Sequence, residues 1–466
     1  MPAFPGIASN EVIDWAKSIS GSTMLKGTGT AYSLTGTAAA GITGTGTGTG
    51  TSVTYPASTV RGLQYLDATF YVMAPDGTIW NSSAAEDDPT TWYTDGFIEA
   101  SFEPDQGVFL GKALNYIVAF GQWTTELFWD AGNPTGSPLS PVNNGVLLVG
   151  CASANSVAQT ESTLIWMAQR KGQNSTAHAG RFIAILVGTS YEELSTPDIS
   201  RILEADDLAA VRSSVIEIGG HSWYLLALGT TGITLVYDLK SKLWYVWTRL
   251  AVGSPVTVNT LTQTNGLATA ISTGGHGMSD GDPAVVSGAG PAGFNGTFNM
   301  SVLNTSTFQY PISTSGTTTG TGASVTPYTE AAFAFVASLG YNGQQIIMDT
   351  SGNAYIPSLG TALDSGNIPI NWRIRTMNLD EGNSQRKFYH EVSVVGDVAG
   401  TATGMVRSLD NDYRVEGYFR RFDLSQQPNH EGRWGQSRLR AWEWRYTDRE
   451  RYRIKQLEVD IEQGDT

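Results

Sequence analysis

The feature that most constrains this chain is an apolar strand–turn–strand unit that keeps returning. Residues 69–80 form the first, with Asp76-Gly77 as the turn of a hairpin. Residues 116–121 with 126–130 form the second, 163–167 with 181–187 the third, and 222–228 with 233–238 the fourth. A fifth runs over 345–356. The first four start about 45–60 residues apart, close to the period of a propeller blade. Glycine and aromatic residues recur in each, which suits short strands joined by turns. The chain therefore reads as all-β, with a β-propeller-like core, a small inserted β module and a C-terminal β-sandwich-like domain. An irregular assembly of β-sandwiches is the other architecture that this pattern allows.

One segment breaks the β pattern. Residues 196–204 and 206–211 read as one or two short helices, with Thr196 as N-cap and Pro197 at the first helical position. The expected boundaries are an N-terminal arm over 1–59, propeller-like core over 60–252 and 328–368, an inserted module over 253–327, and an Arg-rich β domain over 369–466. The arm is marked by an alternating Gly-Thr run from Gly44 to Thr51, which cannot build a core by itself and reads as flexible or extended. The inserted stretch is rich in Gly, Ser, Thr and Asn, and its only charged residues are Asp280 and Asp282. Flanked by Gly/Thr linkers, it is expected on the outside of the scaffold, where long insertions are tolerated.

Charge is distributed unevenly. Of 28 basic and 43 acidic residues, the segment 370–455 holds 16 and 12, net +4, while the rest holds 12 and 31, net -19. The C-terminal fifth prefers arginine, which forms bidentate ion pairs and stacks on tryptophan. Two readings stand: a solvated β domain laced with cross-strand ion pairs, or a basic surface that docks an acidic partner. For the second, Arg420, Arg421, Arg438, Arg440, Trp442 and Trp444 are the candidate interface residues.

The chain offers little for chemistry. Its five histidines lie near no Gly-x-Ser-x-Gly elbow, and neither His-x-x-x-His nor Cys-x-x-Cys occurs. Asp410-Asn411-Asp412 opens like a calcium loop, but Arg414 stands where a ligand is needed. The single cysteine, Cys151, follows an apolar run and reads as a buried, inert thiol; it also excludes an intrachain disulfide. The acidic clusters 86–88, 192–193 and 206–207 read as solvated loops or caps rather than paired catalytic carboxylates. No cofactor, metal or catalytic residue is expected. No apolar run is long enough to span a bilayer, and residues 1–6 show no secretory signal. Synthesis in a reducing cytoplasm is the expectation, where Asn81, Asn174 and Asn295 carry no glycosylation meaning. Net charge of -15 disfavours sequence-independent binding to nucleic acid.

The order of the units resembles the packaged-DNA stabilisation proteins of short-tailed bacteriophages, also called tail accessory or nozzle proteins. Four stretches carry the resemblance: residues 111–121 with 125–130, the span 164–202, Tyr237-Asp238 followed by residues 244–247, and the Arg-rich β terminus 438–461. It covers roughly 300 residues as a pattern of strands and aromatics. No single motif in it is catalytic. The inserted module has no place in the shortest family members, and the Gly-Thr run is atypical of the family. The resemblance implies a non-enzymatic virion protein of the phage tail, assembled in the host cytoplasm. It implies a homo-oligomeric ring, a hexamer, below the portal and its head-to-tail adaptor. That ring extends and closes the DNA channel, retains the packaged genome, and accepts a tail needle or tip protein and tailspikes or fibres. Double-stranded DNA passes without specific binding. The alternatives are a receptor- or carbohydrate-binding tail fibre or propeller domain, and a propeller glycosidase.

Overall fold

The computed structural model describes residues 14–17, 23–27, 30–35, 38–42, 56 and 58–464, apart from 84–87, 161, 173–177, 314–315, 342, 359–362, 365–367, 381, 384, 401, 427–428 and 449. The Gly-Thr run from Gly44 to Thr51 lies outside the described residues. The chain divides into two compact units, Met1–Trp247 with Phe333–Pro357 and Thr248–Ala332 with Ser358–Thr466.

The first unit is a succession of antiparallel sheets, six among the described residues. Asp14–Lys17, Thr23–Gly27, Thr30–Thr35 and Ala38–Ile42 form a four-stranded meander where an arm was expected. Its Ala-, Thr- and Gly-rich strands contain no run of large apolar side chains, so the sequence did not announce them. The second sheet joins Leu63–Leu66, Thr69–Met73, Thr78–Ser83 and Asp88–Glu99, and the third joins Gly107–Ala113, Tyr116–Gly121, Thr125–Asp130 and Leu139–Leu147. The fourth is centred on Leu164–Lys171 and His178–Val187, and the fifth on Arg212–Ile218, His221–Ala227 and Thr234–Asp238. Phe335–Tyr341, Gln344–Asp349 and Ala354–Tyr355 make the sixth.

Packing explains why the sequence shows apolar runs rather than alternation. A strand buried on both faces needs apolar side chains at every position. In Tyr116–Gly121, Ile117 and Ala119 face the core shared with Tyr71 and Met73 of the second sheet. Val118 and Phe120 face the core shared with Trp166 and Phe182 of the fourth. The fourth sheet repeats the device: Leu164 and Trp166 face the third sheet, while Ile165 and Met167 face Tyr224 and Leu226 of the fifth. The fifth turns Leu225 and Ala227 towards Phe335 and Ile347 of the sixth. Each fully buried Phe, Leu or Ile contributes about 1.5–3 kcal/mol relative to exposure. This sheet-on-sheet stacking is the packing of a β-propeller.

One α-helix, α1 (Pro197–Glu204), connects the fourth sheet to the fifth. The Thr196 side chain caps it, accepting the Ile199 N–H, and Ile199 and Leu203 anchor it in the core. Residues 206–211 do not form the second helix that their pattern allowed. The Asp206 carboxylate instead accepts the N–H groups of Gly229 at 2.9 Å and Thr230 at 2.8 Å, which ties this stretch to a turn of the fifth sheet.

The second unit contains the inserted module and the C-terminal domain. The module has its own core, including Phe294, Met300, Phe308 and Tyr310. It is not hung on linkers. Its exit strand, Ser324–Ala332, pairs with the entry strand Leu243–Val252, from Thr248 opposite Ala332 to Val252 opposite Tyr328. The stretch 328–368, expected to belong wholly to the propeller, is divided: 333–357 go to the first unit and the flanks to the second. The C-terminal domain is a sandwich. One sheet orders Trp372–Arg375, Arg440–Tyr446 and Thr403–Asp410, with Val415–Glu416 and Arg420–Asp423 both on the last. The other orders Asn429–Ser437, Lys387–Gly396 and Ile454–Gln463. Tyr389, Val392, Trp434, Trp442, Trp444 and Tyr446 fill the space between them.

Candidate functional site

The arginine-rich sandwich is where the sequence placed its candidate residues. Along Arg440–Tyr446, side chains alternate between two faces. Trp442, Trp444 and Tyr446 enter the aromatic core, while Glu443 and Arg445 take the opposite face. Glu443 is fully buried and lies between Arg407 and Arg375, its cross-strand neighbours on the two flanking strands. Its carboxylate accepts Arg375 Nε at 2.5 Å, Arg407 Nη2 at 3.0 Å and Arg445 Nε at 2.6 Å. Burial pulls its pKa up, but Arg445 and Arg407 outweigh it and hold the group below its ordinary value of 4.5. No sequence motif flagged Glu443; the alternation of W-E-W-R-Y over residues 442–446 was the only signal available.

The same face receives the inserted module, through that module's only two acids. Asp282 lies 3.6 Å from Arg445 Nη1, and Asp280 accepts the Phe419 N–H at 3.3 Å. The Arg421 guanidinium donates to the Asn299 carbonyl and to Ser301 Oγ, and burial pushes its pKa down to about 10. Asn299 Nδ2 donates in turn to the Thr447 carbonyl at 3.3 Å. The module is thus fastened to the sandwich by named polar contacts, where the sequence suggested an outlying appendage.

The six candidate interface residues fall into different places. Trp442 and Trp444 are core residues. Arg440 is only 2% exposed and forms a bidentate pair with Asp410, Nε–Oδ1 2.7 Å and Nη2–Oδ2 2.9 Å, beneath the Tyr389 ring. These three contact their own domain, because a buried guanidinium and two buried indoles stabilise the sandwich from within. Arg421 is committed to the inserted module. Arg420 donates to the carbonyls of Gly432 and Arg433 and stacks on Trp434, 4.2 Å from the ring centroid. Arg438 is exposed and lines a cleft of about 260 Å3 with Arg386, Asp410, Asn411 and Gln436. Ion pairing takes Arg440, backbone carbonyls take Arg420 and Arg421, and Arg438 is the candidate left facing solvent.

The calcium-loop pattern is taken up by protein partners: Asp410 by Arg440, and Asp412 Oδ1 by Asn378 Nδ2 at 2.8 Å. Among the described residues no group of three or more His, Cys, Asp or Glu side chains is placed to hold a metal. Cys151 is buried, donates to the Ser153 carbonyl, and has its thiol pushed up to about 12 by desolvation, which makes it a poor nucleophile. His276 is also a core residue: Nδ1 accepts the Met278 N–H, so Nε2 carries the proton donated to the Asn304 carbonyl. The acidic clusters do not converge. Glu193 pairs with Arg170, Glu192 with Lys242, and Asp207 accepts the Ala209 N–H; residues 86–87 lie outside the described residues.

The propeller unit carries two further depressions. One, of about 480 Å3, is lined by Gln106, Gln122, Gln169, Arg181 and the wall beside Cys151. The other, of about 570 Å3, sets the exposed Trp129 and the half-buried Tyr116 beside Asp67, Asp130, Asn115 and Asn143. Among the described residues no helix is long and apolar enough to cross a membrane.

No curated protein matches the chain. Among solved structures, it aligns with the extracellular domain of a putative hybrid two component system from B. thetaiotaomicron at 10% identity and a TM-score of 0.33, over 76% of this chain and 46% of that one. It aligns with BamB from Moraxella catarrhalis at 11% identity and a TM-score of 0.34, over 76% of this chain and 85% of that one. The chain thus spans less than half the length of the first of these. A family model described as bacteriophage P22 Gp10, β-propeller, matches residues 17–262, which run from the first meander into the inserted module. That is more than half of the 466 residues, and the chain belongs to this β-propeller family of phage stabilisation proteins.

Proposed function

We propose that this phage structural protein forms a homo-oligomeric ring, a hexamer, below the portal and its adaptor, as a tail nozzle. It extends and closes the DNA channel, retains the packaged genome, and carries a needle or tip protein and tailspikes or fibres. The family match over residues 17–262 carries this reading. The charge balance supports it: outside 370–455 the chain carries 12 basic and 31 acidic residues, and a negative lining lets DNA slide without sticking. The role is that of a non-enzymatic virion component.

Native mass spectrometry of the purified protein tests the assembly. Six copies of the 49.9 kDa chain are expected; a monomer or a trimer overturns the ring. A second reading, a carbohydrate-binding surface, is favoured by one observation, the groove that sets Trp129 and Tyr116 among carboxylates and amides. Aromatic faces stack on sugar rings, and planar polar groups bind their hydroxyls. Binding to host-surface polysaccharide that is lost in Trp129→Ala supports this second reading, and equal binding by both proteins removes it.

A further inference from the structure

We propose that the cleft between Arg386 and Arg438 is a carboxylate-binding site that docks an acidic segment of a protein partner. The sandwich partners most of its other described cations internally. Arg375, Arg407 and Arg445 share Glu443, Arg440 holds Asp410, and Arg453 and Lys455 hold Asp397. Arg420 and Arg421 are spent on carbonyls. Arg386 and Arg438 are both exposed, and among the described residues neither has a carboxylate partner, yet they line the same cleft of about 260 Å3. Arg414 is exposed on the hairpin whose Asn411 and Val415 complete that lining.

The residue after Arg386 carries a further charge. Lys387 is fully buried, and among the described residues its ammonium donates to carbonyls alone: Asn383 at 2.8 Å, Gln385 at 3.0 Å and Arg438 at 3.4 Å. Carbonyl dipoles solvate the ammonium but leave its charge uncompensated. The one acid in the wall, Asp410, is already neutralised by its bidentate pair with Arg440. Arg386 and Arg438 therefore present two positive charges to one cleft whose carboxylate is matched. Two forked guanidiniums suit the planar, two-oxygen geometry of Asp or Glu side chains.

An acidic protein segment fits better than DNA. The cleft, of about 260 Å3, admits single side-chain groups rather than a duplex. Acidic surface is abundant in this assembly's own building block, which is -19 outside 370–455.

The test uses the full-length protein and a fluorescein-labelled hexaglutamate peptide, read by fluorescence anisotropy beside a labelled 20-base-pair duplex of DNA. Wild-type protein is expected to bind the peptide. The double variant Arg386→Gln/Arg438→Gln is expected to lose about tenfold or more in affinity, as removal of two charge-assisted pairs implies. Arg433→Gln, which alters an exposed arginine outside the cleft lining, is expected to match wild type, with circular dichroism checking that all variants fold. Unchanged affinity in the double variant overturns the proposal, as does equal loss in Arg433→Gln. Tighter binding to the DNA duplex than to the peptide overturns the choice of partner.

Discussion

The propeller sheets and the C-terminal sandwich are both stacked β structures, but they treat the second face of a strand differently. In Leu164–Lys171, both faces are apolar: Trp166 packs towards the third sheet and Met167 towards the fifth. In Arg440–Tyr446, one face is aromatic and the other is ionic: Trp442 and Trp444 against Glu443 and Arg445. Each sheet of a propeller has a neighbour on both sides, so apolar burial stabilises both faces. The two-sheet sandwich has a spare face, and the inserted module covers it. A cover supplied from elsewhere in the chain is positioned by charge pairs and backbone hydrogen bonds, which are directional. The spare face therefore keeps a buried carboxylate where the propeller keeps isoleucine.

If that contrast is right, mutations on the two sides must fail in different ways. The largest effect is expected for Trp166→Ala, which empties a site packed edge-on against Phe120, with ring centroids 5.0 Å apart. A loss of about 3–5 kcal/mol is expected, independent of pH between 5 and 8 and insensitive to salt. Denaturant unfolding reads the loss, and hydrogen exchange locates it in the propeller sheets. Glu443→Gln follows at about 3 kcal/mol, because three guanidiniums lose their shared anion. Its exchange signature is confined to the sandwich and the inserted module. If it loosens the propeller strands instead, the contrast is broken.

Acid sharpens the same point. The folded-state pKa of Glu443 lies below its ordinary value of 4.5, so its contribution is complete above that pH and lost as pH falls through the depressed value. Protection in Thr403–Asp410 and Arg440–Tyr446 is expected to fall below about pH 4.5, and the Glu443→Gln variant to lose that pH step. A smaller effect belongs to Asp282→Asn, which removes the pairing to Arg445 but also the burial penalty that holds the Asp282 pKa above its ordinary value, and costs at most about 1 kcal/mol. Exchange in the inserted module rises while its own core around Phe308 stays protected. The smallest belongs to Thr196→Ala, which removes the cap of α1 at about 1 kcal/mol or less and frays only that helix.

How much of this could be read from the residues follows from the same contrast. Strands buried on both faces declare themselves as apolar runs, which is why Thr69–Met73, Tyr116–Gly121, Leu164–Lys171 and His221–Ala227 lie where the repeats placed them. The turn at Asp76-Gly77 was legible because Gly77 has a φ of +89°, a conformation glycine adopts without strain. The first meander was not legible, since alanine, threonine and glycine give no hydrophobic signal. In the second unit the inserted module and the C-terminal sandwich were legible as separate stretches, but their docking was not. The docking of the inserted module on the sandwich depends on pairs such as Asp282 with Arg445, far apart in sequence and without a local pattern. Composition identified the arginine excess, but only the fold separates Arg440, bound to Asp410, from Arg438, which faces the cleft.

The central claim is that these propeller-based protomers close into a ring around a DNA channel. Averaged negative-stain images of virions and of the purified protein test it most directly. Six-fold rings with a central channel of DNA width, placed at the tail in virions, are the expected result. Particles without rotational symmetry, or three-fold particles without a channel, contradict it.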